Sequence, residues 1–249
     1  MRAPRIAAVL VGVLMSCADA ATAAECRDVT HAGQGYTVCR AAPAQDELRL
    51  FLHDDAGKPW GGFRRLDRAL RSNGQRLVFA MNAGMYHPDR SPVGHYIEDG
   101  RETRPVIASA GPGNFGMLPN GILCLRKDRA DVMETRRYLA TAPGCDHATQ
   151  SGPMLLIDGA LHPRFLPDST SFYVRNGVGT AADGRSAWFV MSENPVTFFE
   201  FARMFRDALG VQQALYLDGN ISRLFAPALD RADAGLPLGP MVGVVAPVE

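Results

Sequence analysis

Ala187-Trp188-Phe189-Val190-Met191-Ser192-Glu193-Asn194-Pro195-Val196-Thr197-Phe198-Phe199-Glu200-Phe201-Ala202-Arg203-Met204-Phe205-Arg206-Asp207-Ala208-Leu209-Gly210 leads on to Ala214-Leu215-Tyr216-Leu217-Asp218-Gly219-Asn220. The apolar run Ala187 to Met191 reads as a buried strand. Thr197 and Glu200 stand at capping-box spacing and Pro195 precedes them, so a helix is expected to open at Phe198. Phe198, Phe201, Ala202, Phe205, Ala208 and Leu209 repeat at helical spacing, and Gly210 supplies the stop. Ala214 to Leu217 is a second strand. The stretch is therefore a strand–helix–strand unit.

Other apolar runs outward from this unit read as strands: Tyr36 to Arg40, Glu47 to His53, Leu77 to Met81, Gly121 to Leu125, Met154 to Ile157 and Met241 to Val245. Asp158-Gly159 and Asp183-Gly184 are turn dipeptides that predict hairpins. Arg64 to Ser72 suits a short helix, with Leu66, Ala69 and Leu70 on one face. Pro227 to Pro240 reads as a long surface connection. Hairpins plus one strand–helix–strand unit predict the α+β class: a single domain of mixed β-sheets flanked by helices, over residues 25–249.

The 249 residues carry 26 Lys+Arg against 26 Asp+Glu, and 47% are hydrophobic. That balance excludes a disordered chain and gives no basic surplus for binding nucleic acid. Residues 1–24 have the three parts of an export signal: Arg2 and Arg5, the apolar run Ile6 to Met15, and the small residues Ala20 to Ala24. The apolar run is too short to span a bilayer. A periplasmic or secreted location is the expectation. Leu14-Met15-Ser16-Cys17 has the form of a lipoprotein box, which would make Cys17 a lipid anchor instead. Cys26, Cys39, Cys124 and Cys145 then remain, an even set suited to an oxidising compartment. Three pairings are open; Cys26–Cys39 and Cys124–Cys145 would close the shortest loops.

No G-x-S-x-G, H-E-x-x-H or Walker motif occurs, and the histidines show no metal-ligand pairing, so neither metal nor cofactor is expected. Gly111 to Gly116 matches G-x-G-x-x-G but neither follows a strand nor opens a helix, and reads as a glycine-rich turn. The informative polar residues fall at strand ends: Asn82-Ala83-Gly84, Ser192-Glu193-Asn194 and Asp218-Gly219-Asn220. Sites in sheet proteins often form at the carboxyl ends of strands, so these three ends could share a cleft. Taken singly, each is an ordinary turn former. Arg175-Asn176-Gly177 adds a guanidinium suited to a phosphate or carboxylate. Thr149 to Pro153 offers hydroxyls and backbone donors.

The stretches Asn82 to Tyr86, Ala148 to Pro153, Arg175 to Gly179 and Leu215 to Ser222 together resemble the phosphodiester glycosidase domain family, in its bacterial branch. The resemblance runs from about Leu77 to Val245. The family includes an enzyme that removes N-acetylglucosamine from a sugar phosphodiester. Where that enzyme has Asn-Gly-Gly this chain has Asn82-Ala83-Gly84, and Asp-Gly-Gly-Gly-Ser is here Asp218-Gly219-Asn220-Ile221-Ser222. Ile221 cannot adopt left-handed backbone angles cheaply.

The resemblance implies an exported hydrolase that cleaves the sugar–oxygen bond of a glycosyl-1-phosphodiester, acting on a small or polymeric phosphoglycan. Such a leaving group needs little general-acid help; it needs a cation on the phosphate and a carboxylate beside the developing positive charge. Arg175 and Asp218 are the candidates, with Glu193 as a second carboxylate. Asn82, Ser151, Asn176, Asn220 and Ser222 would hold substrate oxygens, and Gly84, Gly152, Gly177 and Gly219 would let backbone approach closely. Asp89 and Glu98 are reserve carboxylates. Two alternatives are a non-catalytic envelope protein binding glycans through the same cleft, and a metal-dependent phosphodiesterase.

Overall fold

Along Ala187–Ser192, Asn176–Thr180 and Gln213–Tyr216, alternate apolar side chains face opposite ways. Phe189, Met191, Val178, Leu215 and Leu217 face a central core, while Val190, Ala214 and Tyr216 face a second one. A strand buried on both faces needs no polar alternation, which is why these runs are almost wholly apolar.

The computed structural model describes residues 24–218 and 221–248. The expected leader, Cys17, Gly219 and Asn220 lie outside the described residues, apart from Ala24. Three sheets surround the central core. The seven-stranded sheet runs in the order Glu25–His31, Gln34–Ala41, Ala187–Ser192, Asn176–Thr180, Gln213–Tyr216, Met154–Ile157, Ala160–Leu161. A five-stranded sheet has the order Arg231–Ala232, Leu224–Ala226, Gln75–Asn82, Met241–Pro247, Glu47–Phe51. The other five-stranded sheet has the order Arg101–Arg104, Tyr96–Glu98, His147–Ser151, Gly121–Arg126, Arg129–Glu134.

Neighbouring strands pair antiparallel, as along Asn176–Thr180, which hydrogen-bonds to Ala187–Ser192 on one side and to Gln213–Tyr216 on the other. The two strands of the strand–helix–strand unit therefore run parallel with one strand between them. Each sheet carries a helix on its outer face. Helix α1 (Phe63–Ser72) buries Phe63, Leu66 and Leu70 against Leu77 and Val245. Helix α2 (Thr135–Thr141) packs Tyr138 near Ile122 and Ala148. Helix α3 (Phe198–Arg203) sets Phe201 against Tyr36 and Tyr216. The class is α+β in a helix-poor form.

Both halves of the Thr197–Glu200 capping box are made: Thr197 Oγ1 accepts the Glu200 N–H at 3.1 Å, and Glu200 Oε2 accepts the Thr197 N–H at 2.8 Å. The helical run continues beyond α3 as a π-helical turn, Met204–Ala208, before Gly210 turns with φ +66°. Both predicted hairpins form. The segment 227–240 is less of a surface loop than its prolines suggest. It contains a 3-10 turn at Pro227–Leu229, the strand Arg231–Ala232 and a fully buried Leu238 bridged to Gly61. Disulfides join Cys26 to Cys39, facing each other across the first two strands, and Cys124 to Cys145.

Candidate functional site

Three strand ends from two sheets meet around two asparagines. Gln75–Asn82 delivers Asn82, and Asn176 opens the strand Asn176–Thr180; both are fully buried. Asn176 Nδ2 donates to the Asn82 carbonyl at 3.0 Å. Its Oδ1 accepts the backbone N–H of Asp218 at 3.2 Å. Asn82 Oδ1 in turn accepts the N–H of Arg223 at 2.9 Å, whereas Asn82 Nδ2 is buried with no partner among the described residues.

Asp218 is 8% exposed. The segment carrying it is held from both sides: Ser151 Oγ donates to the Leu217 carbonyl, and Ser222 Oγ donates to the carbonyls of Val174 at 3.0 Å and Asp218 at 3.3 Å. Two phenols lie within electrostatic reach of its carboxylate. Burial, and after it the Asp218 charge, raises the Tyr86 phenol above its ordinary range. The Tyr86 hydroxyl is buried with no partner at full hydrogen-bond geometry among the described residues, although the Gly239 N–H is close enough to favour its ionised form. Tyr216 is pushed up to about 12, chiefly by burial; Arg175 opposes this and Asp218 adds to it. Both phenols are therefore proton donors throughout the neutral range.

Arg175 is 1% exposed. Its Nε donates to the Val196 carbonyl at 2.8 Å, Nη2 to the Ser171 carbonyl at 2.8 Å, and Nη1 to the Tyr216 hydroxyl at 3.4 Å. Its guanidinium carbon lies 3.6 Å from the Phe198 ring centroid and 5.5 Å from those of Tyr173 and Tyr216. A cation in such an aromatic box gains up to about 2 kcal/mol or more when desolvated. Among the described residues no carboxylate lies within ion-pair distance of it. Burial pulls its pKa below the usual arginine value, with Tyr216 opposing, and the group stays a cation at neutral pH. Arg175 and Asp218 thus converge on one phenol, that of Tyr216.

The other nominated residues divide. Glu193 belongs to a neighbouring network: its Oε1 accepts from Arg231 Nη1 at 2.5 Å and from Thr37 Oγ1 at 2.7 Å, and Arg231 also pairs with Asp233. The adjacent Ser192 Oγ accepts the Arg175 N–H at 2.9 Å, so Glu193 sits one residue from the Arg175 backbone contact. Asp89 closes an exposed turn onto Ser91. Glu98 accepts from the Tyr96 hydroxyl at 3.0 Å and lines a separate groove with Trp60 and Arg65, and burial raises its pKa. Among the described residues, neither reserve carboxylate hydrogen-bonds to Asn82, Asn176, Ser151 or Ser222.

The glycines serve chain packing. A Cβ on Gly84 would stand 2.4 Å from Thr149 Oγ1, and one on Gly177 would stand 2.8 Å from the Leu215 carbonyl. Gly152 is similarly hemmed in by Asn120. Ile221 packs, partly buried, against the cluster that includes Phe63 and Leu238. Tyr86, Tyr216 and Phe198 are not among the residues the sequence nominates. Tyr86 closes the first polar motif and Tyr216 precedes Asp218 by two positions, so adjacency to those motifs is the signal that could have found them.

A family model described as phosphodiester glycosidase matches residues 75–244. A curated relative, the uncharacterized protein YigE of Escherichia coli (strain K12), is 34% identical over 198 residues, which cover 80% of this chain and 76% of that one. Among solved structures, the catalytic domain of zebrafish N-acetylglucosamine-1-phosphodiester alpha-N-acetylglucosaminidase, auto-inhibited by its pro-peptide, matches with a TM-score of 0.59 at 13% identity. That match covers 89% of this chain and 81% of the zebrafish domain. A protein of Burkholderia pseudomallei K96243, described as exported, matches with a TM-score of 0.55 at 12% identity, covering 85% and 74% of the two chains. At these identities the two solved structures speak to the fold alone.

Proposed function

Because the chain belongs to the phosphodiester glycosidase family, we propose that it is an exported hydrolase that breaks the bond between the anomeric carbon and the phosphate oxygen of a glycosyl-1-phosphodiester. The observation that carries this reading is Arg175. A guanidinium taken out of water, boxed by three rings and hydrogen-bonded to neutral acceptors, has Glu200 within electrostatic reach but no carboxylate at ion-pair distance among the described residues. A phosphodiester supplies one charge and oxygens that suit the guanidinium fork.

In this mechanism Arg175 holds the phosphate and Tyr216, bonded to Arg175, donates to a phosphate oxygen. Asp218 faces the sugar side, where positive charge develops at the anomeric carbon as the C–O bond breaks. Water adds to that carbon, and the phosphate leaves as a monoester. The free Nδ2 of Asn82 and the hydroxyl of Tyr86 supply donors for the sugar or the attacking water. Ser151, Asn176 and Ser222, together with Gly84, Gly152 and Gly177, position the Asp218 segment. Glu193, tied to Arg231 and Thr37, holds the outer end of the Ala187–Ser192 strand and serves as a second carboxylate outside the Asp218 cluster.

Hydrolysis of a glycosyl-1-phosphodiester in oxygen-18 water tests the proposal directly. Label in the sugar product, lost with Asp218→Asn, is the expected result. Label in the phosphate product would make the protein a phosphodiesterase. Binding without turnover would leave a glycan-binding protein.

A further inference from the structure

The chain at Ala24 is fastened to the body of the protein. Its main-chain N–H donates to Asp46 Oδ1 at 2.9 Å, while Asp46 Oδ2 accepts the N–H of Ala42 at 2.7 Å. Asp46 is 8% exposed. Ala24 also packs against the central core, two residues before the Cys26–Cys39 disulfide. Among the described residues no cation stands within ion-pair distance of Asp46. A carboxylate removed from water and met only by two neutral amides is undercompensated.

The sequence just before this contact is Ala18-Asp19-Ala20-Ala21-Thr22-Ala23. It holds two triplets of the A-x-A form, Ala18 to Ala20 and Ala21 to Ala23. Only the second ends at the peptide bond whose nitrogen is the one on Asp46. We propose that the chain is processed between Ala23 and Ala24, and that Asp46 is the receptor for the α-ammonium group this cut creates.

Hydrolysis by a leader peptidase adds one water across the bond. The hydroxyl goes to the Ala23 carbonyl carbon, which leaves as a carboxylate, and the Ala24 nitrogen takes up protons to become an ammonium. A neutral amide with one N–H is thereby replaced, at the same position, by a cation with three. The 2.9 Å distance already suits a charge-assisted bond. Processing would therefore complete a buried ion pair and pin the edge strand Glu25–His31 to the sheet. A cut one residue later would begin the chain at Glu25 and leave Asp46 without its counter-ion.

The test compares protein beginning at Ala24 with protein carrying one extra serine before it, each with Asp46 and with Asp46→Asn. The Ala24 start should melt higher, by at least about 2–4 °C for a chain of this size. The gap should close with Asp46→Asn, which keeps an oxygen for Ala42. Equal melting of the two starts in the parent protein would overturn the proposal, and so would a gap that survives Asp46→Asn. Should Asp46→Asn not fold, acetylating the Ala24 amine decides the same point: removal of the charge should lower the melting temperature to that of the extended chain, and no change would overturn the proposal. N-terminal sequencing of exported protein should read Ala24; Glu25 or an acylated Cys17 would also overturn it.

Discussion

Asn176 and Asp218 are 42 positions apart, and the side-chain oxygen of the first accepts the backbone N–H of the second at 3.2 Å. The same amide group donates from its nitrogen to the Asn82 carbonyl. One side chain thus sets the distance between two sheets and the position of the Asp218 segment. Asn176→Ala should remove both bonds in a buried place, costing about 1–3 kcal/mol, and should lower turnover with a normal substrate. Calorimetry and a rate measurement check it; a variant unchanged in both would remove Asn176 from the site.

Arg175 depends on its rings. Phe198→Leu keeps most of the apolar volume but removes the face that lies 3.6 Å from the guanidinium carbon. The expected loss is about 0.5–2 kcal/mol in stability, with a rise in KM for a phosphodiester. Arg175→Lys cannot reach Val196, Ser171 and Tyr216 together, so its KM should rise further. An unaltered KM in both variants would take the phosphate away from Arg175.

The strand ends were legible because polar residues stand out where an apolar run stops, as at Met81-Asn82 and Leu217-Asp218. What joins them was not. Tyr86 approaches Asp218 because Gln75–Asn82 pairs with Met241–Pro247 while Asn176 crosses to the other sheet, and no local pattern encodes that register. Phe198 belongs to a helical stripe of core type, yet its ring serves Arg175, which stands just before the strand Asn176–Thr180. Arg101–Arg104 is exposed throughout and Glu25–His31 is a polar edge strand, so neither carries a hydrophobic period to read.

The two disulfides link residues 13 and 21 positions apart. Replacing either pair by serine should cost about 2–5 kcal/mol. Thermal melts with and without reductant check it, and denatured, unreduced protein beginning at Ala24 should show no free thiol. Equal melting with and without reductant would argue against a structural role for these bonds.

Tyr86→Phe separates stability from chemistry. Its hydroxyl is buried with no partner at full hydrogen-bond geometry among the described residues, the Gly239 N–H being its weak neighbour, so deleting it should change the melting temperature little. If the hydroxyl serves the substrate, kcat should fall about a hundredfold, the lower range for losing one positioned donor. A stable variant with full activity would show that the donor has no substrate to serve.

Asp218 and Glu193 should respond differently to loss of charge. The Asp218 segment is held by its backbone N–H and carbonyl, through Asn176 and Ser222. Asp218→Asn keeps those bonds and the side-chain size, so the fold should persist. Turnover should fall by orders of magnitude, because a carboxylate facing developing positive charge supplies several kcal/mol. Glu193 is partly exposed, and its main partner Arg231 retains Asp233 when Glu193 is neutralised. Glu193→Gln should therefore cost about 1 kcal/mol or less in stability. It should lower turnover far less than Asp218→Asn does. Parallel kcat and melting measurements on the two variants decide the matter. Equal rate losses would make both carboxylates part of the chemistry, and a fully active Asp218→Asn protein would leave the site without its carboxylate and favour a binding protein.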